Sequence, residues 1–336
     1  MHEPRYLNGK RVTFVDVIAS FLSHLKQTAQ EELEQDFSHA LSGRPVRFHS
    51  ENAQKDAQAL KDLTQCYEAA GFKSVHYLSE PEAAAVAAGA SKAGELSLIV
   101  DIGGGTSDFC LFQTKNDAMQ VLATSGVRVG GTDFDRSLST DQVMPLLGRG
   151  HSIREQMGDG ALPAPNWIYH ELATWEKIPG LYSAKPRALA DSMVDLALDP
   201  VPFQRLNEAL NNELGHDIAF AVEKAKIEAN LSGQSRVELL FAGEAAGSRL
   251  CAELNGGLMA QSLEPYGVRI RDCALETLKI GQCNARRVDR LIFVGGSSLM
   301  KIVEASLAPQ FPNATLHYSD AFTAIVDGLA IAAEEL

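Results

Sequence analysis

Residues 100–110 read VDIGGGTSDFC: an aspartate, three consecutive glycines, a threonine and a second aspartate. The run LSLIVD (96–101) leading into them is almost continuously apolar, the pattern of a strand covered on both faces. In SDFCLF (107–112) Phe109 and Leu111 alternate with other residues, so a second strand follows and the glycines turn a hairpin. This setting separates the loop from glycine motifs that open a helix, and GKS or GKT is missing as well. Gly103, Gly104 and Gly105 allow positive φ and let successive N–H groups converge on an anion, and Thr106 adds a hydroxyl donor. Asp101, at the carboxyl end of its strand, is placed to hold the water shell of a Mg²⁺ that bridges phosphates. A plain glycine turn is the alternative for the tripeptide alone; the flanking aspartates favour the phosphate reading.

Strand and helix alternate ahead of this loop. Thr13 and Asp16 form a capping-box pattern, and Phe14, Val17, Ile18, Phe21, Leu22 and Leu25 follow at helical spacing, predicting a helix packed on one face. PVRF (45–48) reads as a short sheet segment, 52–70 as a helix closed by Gly71, SVHYLS (74–79) as a strand, and EPEAAAVAAGA (80–90) as an alanine-rich helix. The alternation predicts an α/β fold. From Gly126 to about Glu244 the character changes to that of an inserted subdomain, in which Trp167, Leu172 and Trp175 fall near one helix face. Core packing is the plainer reading of that trio and a partner-binding patch the other. In the final third, DRLIFV (289–294) reads as a strand, SSLMKIVEASL as a helix, ATLHY as a strand and 322–335 as a helix. In LIFVGGSSLM (291–300), Gly295 and Gly296 permit close approach of a ribose or phosphate, and Ser297 is a good N-cap for the helix that follows.

Composition bounds the rest. A chain of 336 residues suggests two lobes, and its net charge of −13, from 30 Lys and Arg against 43 Asp and Glu, disfavours nucleic-acid and anionic-membrane partners. The five cysteines (Cys66, Cys110, Cys251, Cys273, Cys283) contain no CxxC and the nine histidines no HExxH, so neither a disulfide framework nor a zinc site is expected. No apolar run reaches the roughly 18 residues of a membrane span, and the expected location is the cytoplasm.

VDIGGGTSDF, VLATSGVRVGGTDFD (121–135), VEKAKIEANLSG (222–233) and LIFVGGSSLMKIV (291–303) occur in that order, with LSEPEAAAVAAGA (78–90) ahead of them. The series resembles the ATPase domain of the heat-shock 70 chaperones, within the actin and hexokinase superfamily. ELATWEKIP (171–179), GRPVRF (43–48) and TAIVDGLA (323–330) look closer still to its short bacterial YegD-like branch.

The resemblance implies an actin-like ATPase (ribonuclease H-like) fold of two lobes around a cleft that binds ATP or ADP with Mg²⁺. It implies residues 1–97 as the remainder of lobe I and 98–320 as lobe II with a subdomain inserted at about 126–245. Residues 321–336 then form a C-terminal helix returning to lobe I. It assigns Glu80 to the metal and attacking water, Asp101 to the metal through water, and Gly103, Gly104, Gly105 and Thr106 to the phosphates. Asp108 matches the trailing carboxylate, giving Glu80, Asp101, Thr106 and Asp108 as the catalytic set. Gly130 and Gly131 fall near the ribose, Glu223 and Lys226 on the helix covering the nucleoside, and Gly295, Gly296 and Ser297 in the adenosine motif. Read from the residues alone, Glu80 could instead be a helix-start carboxylate, and Glu223 and Lys226 a solvated helix face.

The family's first phosphate loop and the lysine acting on the γ-phosphate have no match ahead of Thr13, and Ile227 and Leu299 stand where many members carry arginines around the adenine. Losing two or three charge-assisted hydrogen bonds, about 1.5–3 kcal/mol each, weakens binding by at least roughly two orders of magnitude. The expectation is therefore weak or absent Mg-ATP binding and no hydrolysis. An uncovered sheet edge in lobe I would also favour self-association. Co-chaperones and client proteins are the macromolecular partners implied; a non-enzymatic interaction module and a sugar kinase are the alternatives.

Overall fold

A computed structural model describes residues 4–7, 10–48, 52–87, 94–115, 118–155, 159–239, 250–318 and 323–334, leaving aside the side chains of 5–7, 10 and 118. Expected helical residues 88–90, the insert's end at 240–245, and the terminal helix's Phe322 and Glu335 lie outside the described residues.

The chain opens with an antiparallel pair, β1 (Arg5–Leu7) and β2 (Lys10–Val12), followed by α1 (Phe14–Leu33), β3 (His39–Arg44), α2 (Ala53–Ala69), β4 (Ser74–Ser79) and α3 (Glu80–Ala87). Next come β5 (Leu96–Ile102), β6 (Ser107–Lys115) and β7 (Ala118–Val127), then α4 (Gly131–Leu138), the short pair β8 (Ser152–Arg154) and β9 (Ala161–Pro163), and α5 (Asn166–Leu172). Helices α6 (Ala184–Leu196), α7 (Pro200–Asn211) and α8 (Gly215–Ser232) precede the hairpin of β10 (Gln234–Leu239) and β11 (Leu250–Asn255). The chain continues through α9 (Gly256–Ile280), β12 (Arg290–Val294), α10 (Lys301–Leu307), β13 (Thr315–Tyr318) and α11 (Ala324–Ala333).

These elements form two units: residues 1–129, 269–299 and 303–336 in one, and 130–268 with 300–302 in the other. The first is built on a five-stranded mixed sheet of order β13-β12-β5-β6-β7, in which β12 runs parallel to β5 and β13 while β5, β6 and β7 are antiparallel. Every residue of β5 is buried, as its unbroken apolar run predicts. Ala84 and Ala85 of α3 and Ala324 of α11 pack with Ile99, Cys110, Phe112, Ile292 and Val294 of the sheet. On β7, Ser125 hydrogen-bonds Thr277 of α9 at 2.5 Å.

Three local expectations need correction. The strand before α2 is His39–Arg44, paired in parallel with β4, and PVRF is the loop after it. Pro45 brings no N–H to a ladder, and the Val46 N–H is given to Asp108 at 2.9 Å instead. The capping box of Thr13 and Asp16 starts α1 as read, but the helix is not packed along its apolar stripe. Ala19 is its buried residue and Ile18 and Leu22 are half-buried, as packing against α2 requires, while Phe14, Val17, Phe21 and Leu25 are 46–60% exposed. Of Trp167, Leu172 and Trp175, the leucine is buried, but the two tryptophans are 42% and 44% exposed, so core packing holds for the leucine alone.

The second unit is helical around the α4–α8 contact, with the β10–β11 hairpin against α8. All five cysteines are free thiols, and no helix among the described residues is long and apolar enough to cross a membrane.

Candidate functional site

The antiparallel register of β5 and β6 sets Asp101 opposite Asp108 and Ile102 opposite Ser107, leaving Gly103–Thr106 as the turn. The Gly103 N–H closes that turn on the Thr106 carbonyl at 3.0 Å. None of the three turn glycines takes positive φ, which corrects the expected nest. Gly104 and Gly105 are exposed and have open space where a Cβ would stand, so the loop's backbone is accessible to a ligand.

Positive φ appears instead across the sheet, at Gly295 with φ +81°. Because Val294 pairs with Asp101, Gly295 abuts the end of β5: a Cβ there would lie 2.6 Å from the Ile102 carbonyl and 3.0 Å from Asp101 Oδ1. Gly295→Ala therefore carries both backbone strain and a backbone clash, and a loss of about 1–3 kcal/mol is expected in urea denaturation. A change within 0.5 kcal/mol, the usual range for a surface substitution, would contradict this geometry.

Ser297 is not an N-cap, a second correction. Gly296–Leu299 is a 3₁₀ turn, α10 begins only at Lys301, and it is Ser298 whose N–H and hydroxyl both donate to the Gly295 carbonyl, at 3.1 and 2.7 Å. Gly296 is exposed and Ser297 half-buried.

Glu80 is the first residue of α3, but the helix cap lies elsewhere. Ser79 donates its N–H (3.1 Å) and hydroxyl (2.6 Å) to Glu82, whose own N–H returns to Ser79 Oγ at 3.4 Å. The Glu80 carboxylate is left to the carboxylate cluster. Burial, then the charge of Asp108, raises its pKa to about 6. Burial, then Glu80 and Asp108, raises Asp101 to about 7. Asp108 rises to about 6 by burial, against the lowering effect of hydrogen bonds from Thr106, Val46 and Arg47 and of the Arg44 charge. Glu80 does stand in the first turn of α3, as the helix-start alternative has it, and burial outweighs the helix end in setting its pKa.

Three mutually repelling carboxylates at the mouth of a glycine hairpin fit a divalent cation, whose charge would offset their desolvation. Among the described residues no group of three or more His, Cys, Asp or Glu side chains is placed to hold a metal ion directly.

In the second unit, Gly130 caps α4, its N–H bonded to Asp133 at 3.0 Å, and Gly131 is buried. Lys226 is 6% exposed and pairs with Asp135 at 2.8 Å, so the solvated-face reading fails for it. Glu223, one turn before, is exposed. Sequence reading missed Asp135, which lies 91 residues from its lysine, and the cap of Ser79 and Glu82, which the S-x-x-E spacing could have revealed.

Comparison with known proteins finds similarity to one family. The family profile described as Hsp70 protein matches residues 4–152, and that family carries the actin-like ATPase fold. A chaperone protein DnaK of Mycoplasmoides gallisepticum (strain R(low / passage 15 / clone 2)) is 27% identical over 317 residues, covering 92% of this chain and 43% of the relative. Over residues 4–152 the chain is thus similar to the heat-shock 70 family, and it spans less than half the length of that curated relative.

Proposed function

We propose that this chain is the nucleotide-binding part of a heat-shock 70 chaperone of the YegD-like branch, acting in the cytoplasm on ATP or ADP with Mg²⁺. The observation that carries the reading is the trio at the glycine hairpin, Asp101 and Asp108 buried and Glu80 half-buried, all with raised pKa values. Asp101 holds the hydrated Mg²⁺, whose charge when bound neutralises the phosphates. The exposed backbone of Gly104 and Gly105 faces the β- and γ-phosphates, while the Gly103 N–H closes the turn and the Thr106 hydroxyl supports Asp108. Glu80 orients the attacking water, and Asp108 fixes the 45–48 loop through the Val46 N–H. Gly295, Gly296 and Ser297 take the adenosine, while Gly130, Gly131, Glu223 and Lys226 take the ribose and base.

The residues present also limit the activity. Arg44, the cation acting on Asp108, already donates to the carbonyls of Pro45 (3.1 Å) and Val46 (3.2 Å). Ile227 and Leu299 offer the adenine apolar contact without charge. Binding by these 336 residues is therefore weak, and ATP turnover does not exceed background.

A pH series tests this reading. Mg²⁺ displaces protons from carboxylates titrating at about 6 and about 7, so Mg-nucleotide affinity falls as pH drops from 8 to 5.5, by up to about tenfold per unit. A pH-independent affinity would overturn the assignment of Asp101. Self-association is the second expectation, because Phe14, Val17, Phe21 and Leu25 leave an apolar stripe on α1. Light scattering of the concentrated chain should show dimers or larger, and Phe21→Glu with Leu25→Glu should return monomer. A clean wild-type monomer contradicts it.

A further inference from the structure

Arg44 ends β3 and pairs in register with Ser79, the residue before Glu80, so the carboxyl ends of β3 and β4 bring it beside the start of α3. Gly43, one residue earlier, is close enough that a Cβ on it would lie 3.7 Å from Glu80 Cγ. On the other side Val46 ties the arginine to Asp108: its carbonyl accepts from Arg44 Nη1 at 3.2 Å, and its N–H donates to Asp108 Oδ1 at 2.9 Å. The Pro45 carbonyl accepts from the same nitrogen at 3.1 Å. Arg44 is therefore half-buried, one peptide unit away from the carboxylate cluster, and its charge helps to hold the Asp108 pKa down against burial.

It nevertheless forms no ion pair among the described residues, and Nη2 and Nε have no partner there. Carboxylates that repel one another would draw a free guanidinium into contact. Two carbonyls instead hold Nη1 on the 45–48 loop, so opposite charges stand near each other without closing. The charges say what fits between them. A bare anion is repelled by the carboxylates and a bare cation by the arginine. A divalent cation carried on phosphates satisfies both, the metal meeting the carboxylates and the phosphate oxygens the guanidinium. Arginine suits this better than lysine, because its planar fork takes two oxygens at once and the bonds of Nη1 hold that fork in place beforehand.

We propose that Arg44 is a phosphate ligand of this site: Nη2 and Nε hold the terminal phosphate of a Mg-bound diphosphate or triphosphate while Nη1 stays on the 45–48 loop. This role rests on the nucleotide reading and goes beyond it by naming the cation that the phosphates meet.

Inorganic pyrophosphate, which carries the phosphates without the nucleoside, is titrated with Mg²⁺ into wild type, Arg44→Gln and Arg44→Lys by calorimetry at constant ionic strength. Urea denaturation checks that each variant keeps the wild-type midpoint. The expected result is saturable binding to wild type, weakened at least about tenfold in Arg44→Gln and by less in Arg44→Lys, which keeps the charge without the fork. Mn²⁺ alone, followed by loss of its free-ion paramagnetic signal, should bind Arg44→Gln at least as tightly as wild type, because a repelling charge has gone. A merely structural arginine would weaken both ligands together. Equal pyrophosphate affinity in Arg44→Gln, parallel weakening of pyrophosphate and Mn²⁺, or no saturable pyrophosphate binding to wild type would each overturn the proposal. An ADP titration separates it from the nucleotide reading. Mg-ADP binding that survives Arg44→Gln overturns the proposal alone, whereas Arg44-dependent pyrophosphate binding with no tighter binding of ADP supports it and tells against the nucleoside.

Discussion

Replacing Asp101 with asparagine is expected to stabilise the nucleotide-free chain above pH 7 while removing its response to Mg²⁺. Asp101 titrates at about 7 in the folded chain, raised first by burial and then by Glu80 and Asp108, against about 3.9 in an unfolded one. Between these values the folded state binds more protons than the unfolded state. The associated stability is fully present below about pH 4 and is lost as pH rises through 7, at up to about 1.4 kcal/mol per unit. At pH 8 the ionised carboxylate thus costs on the order of 2–4 kcal/mol, which asparagine does not incur. Urea denaturation at pH 5, 6, 7 and 8 should show the variant gaining on wild type at each step. A variant less stable at pH 8, or one that keeps the wild-type pH slope, would refute the buried-carboxylate account.

Gly328→Ala is expected to cost about 3 kcal/mol or more. Helices α3 and α11 meet backbone to backbone there: a Cβ on Gly328 would lie 1.7 Å from the Ala83 carbonyl oxygen and 2.5 Å from its carbon. Neither atom is the end of a flexible side chain, so the helices themselves must part. Because α3 begins at Glu80, the shift also reaches the carboxylate cluster. Denaturant midpoints should fall, and hydrogen exchange should accelerate in α3 before the β5–β6 hairpin. A variant within 0.5 kcal/mol of wild type would mean that this helix contact is not tight.

The hairpin and its two aspartates were legible because their signals are local. An unbroken apolar run reports burial on both faces, and strand alternation after the glycines sets Asp101 opposite Asp108. The capping box at Thr13 and the post-helix glycine at 71 are likewise fixed by neighbours within four residues. What was misread depends on distant chain. Periodicity shows that α1 is amphipathic but not whether anything covers Phe21. Glycines at 103–105 permit a left-handed backbone without requiring it, whereas Gly295 needs it because β12 delivers it against Ile102. Ser297 and Ser298 are equivalent as letters, and only the turn geometry gives the cap-like bonds to Ser298. The pairing of Lys226 with Asp135 joins α8 to α4 and has no spacing signature at all.

The central claim is that the carboxylates at the glycine hairpin admit a nucleotide only together with Mg²⁺. Calorimetric titration of ADP at pH 8, with Mg²⁺ and with EDTA, into wild type and Asp101→Asn tests it most directly. The prediction is weak binding, with Kd of about 10 μM or above, to wild type with Mg²⁺, and at least about tenfold less in EDTA or in the variant. Equal affinity in EDTA, or undiminished Mg-ADP binding by Asp101→Asn, would contradict the account.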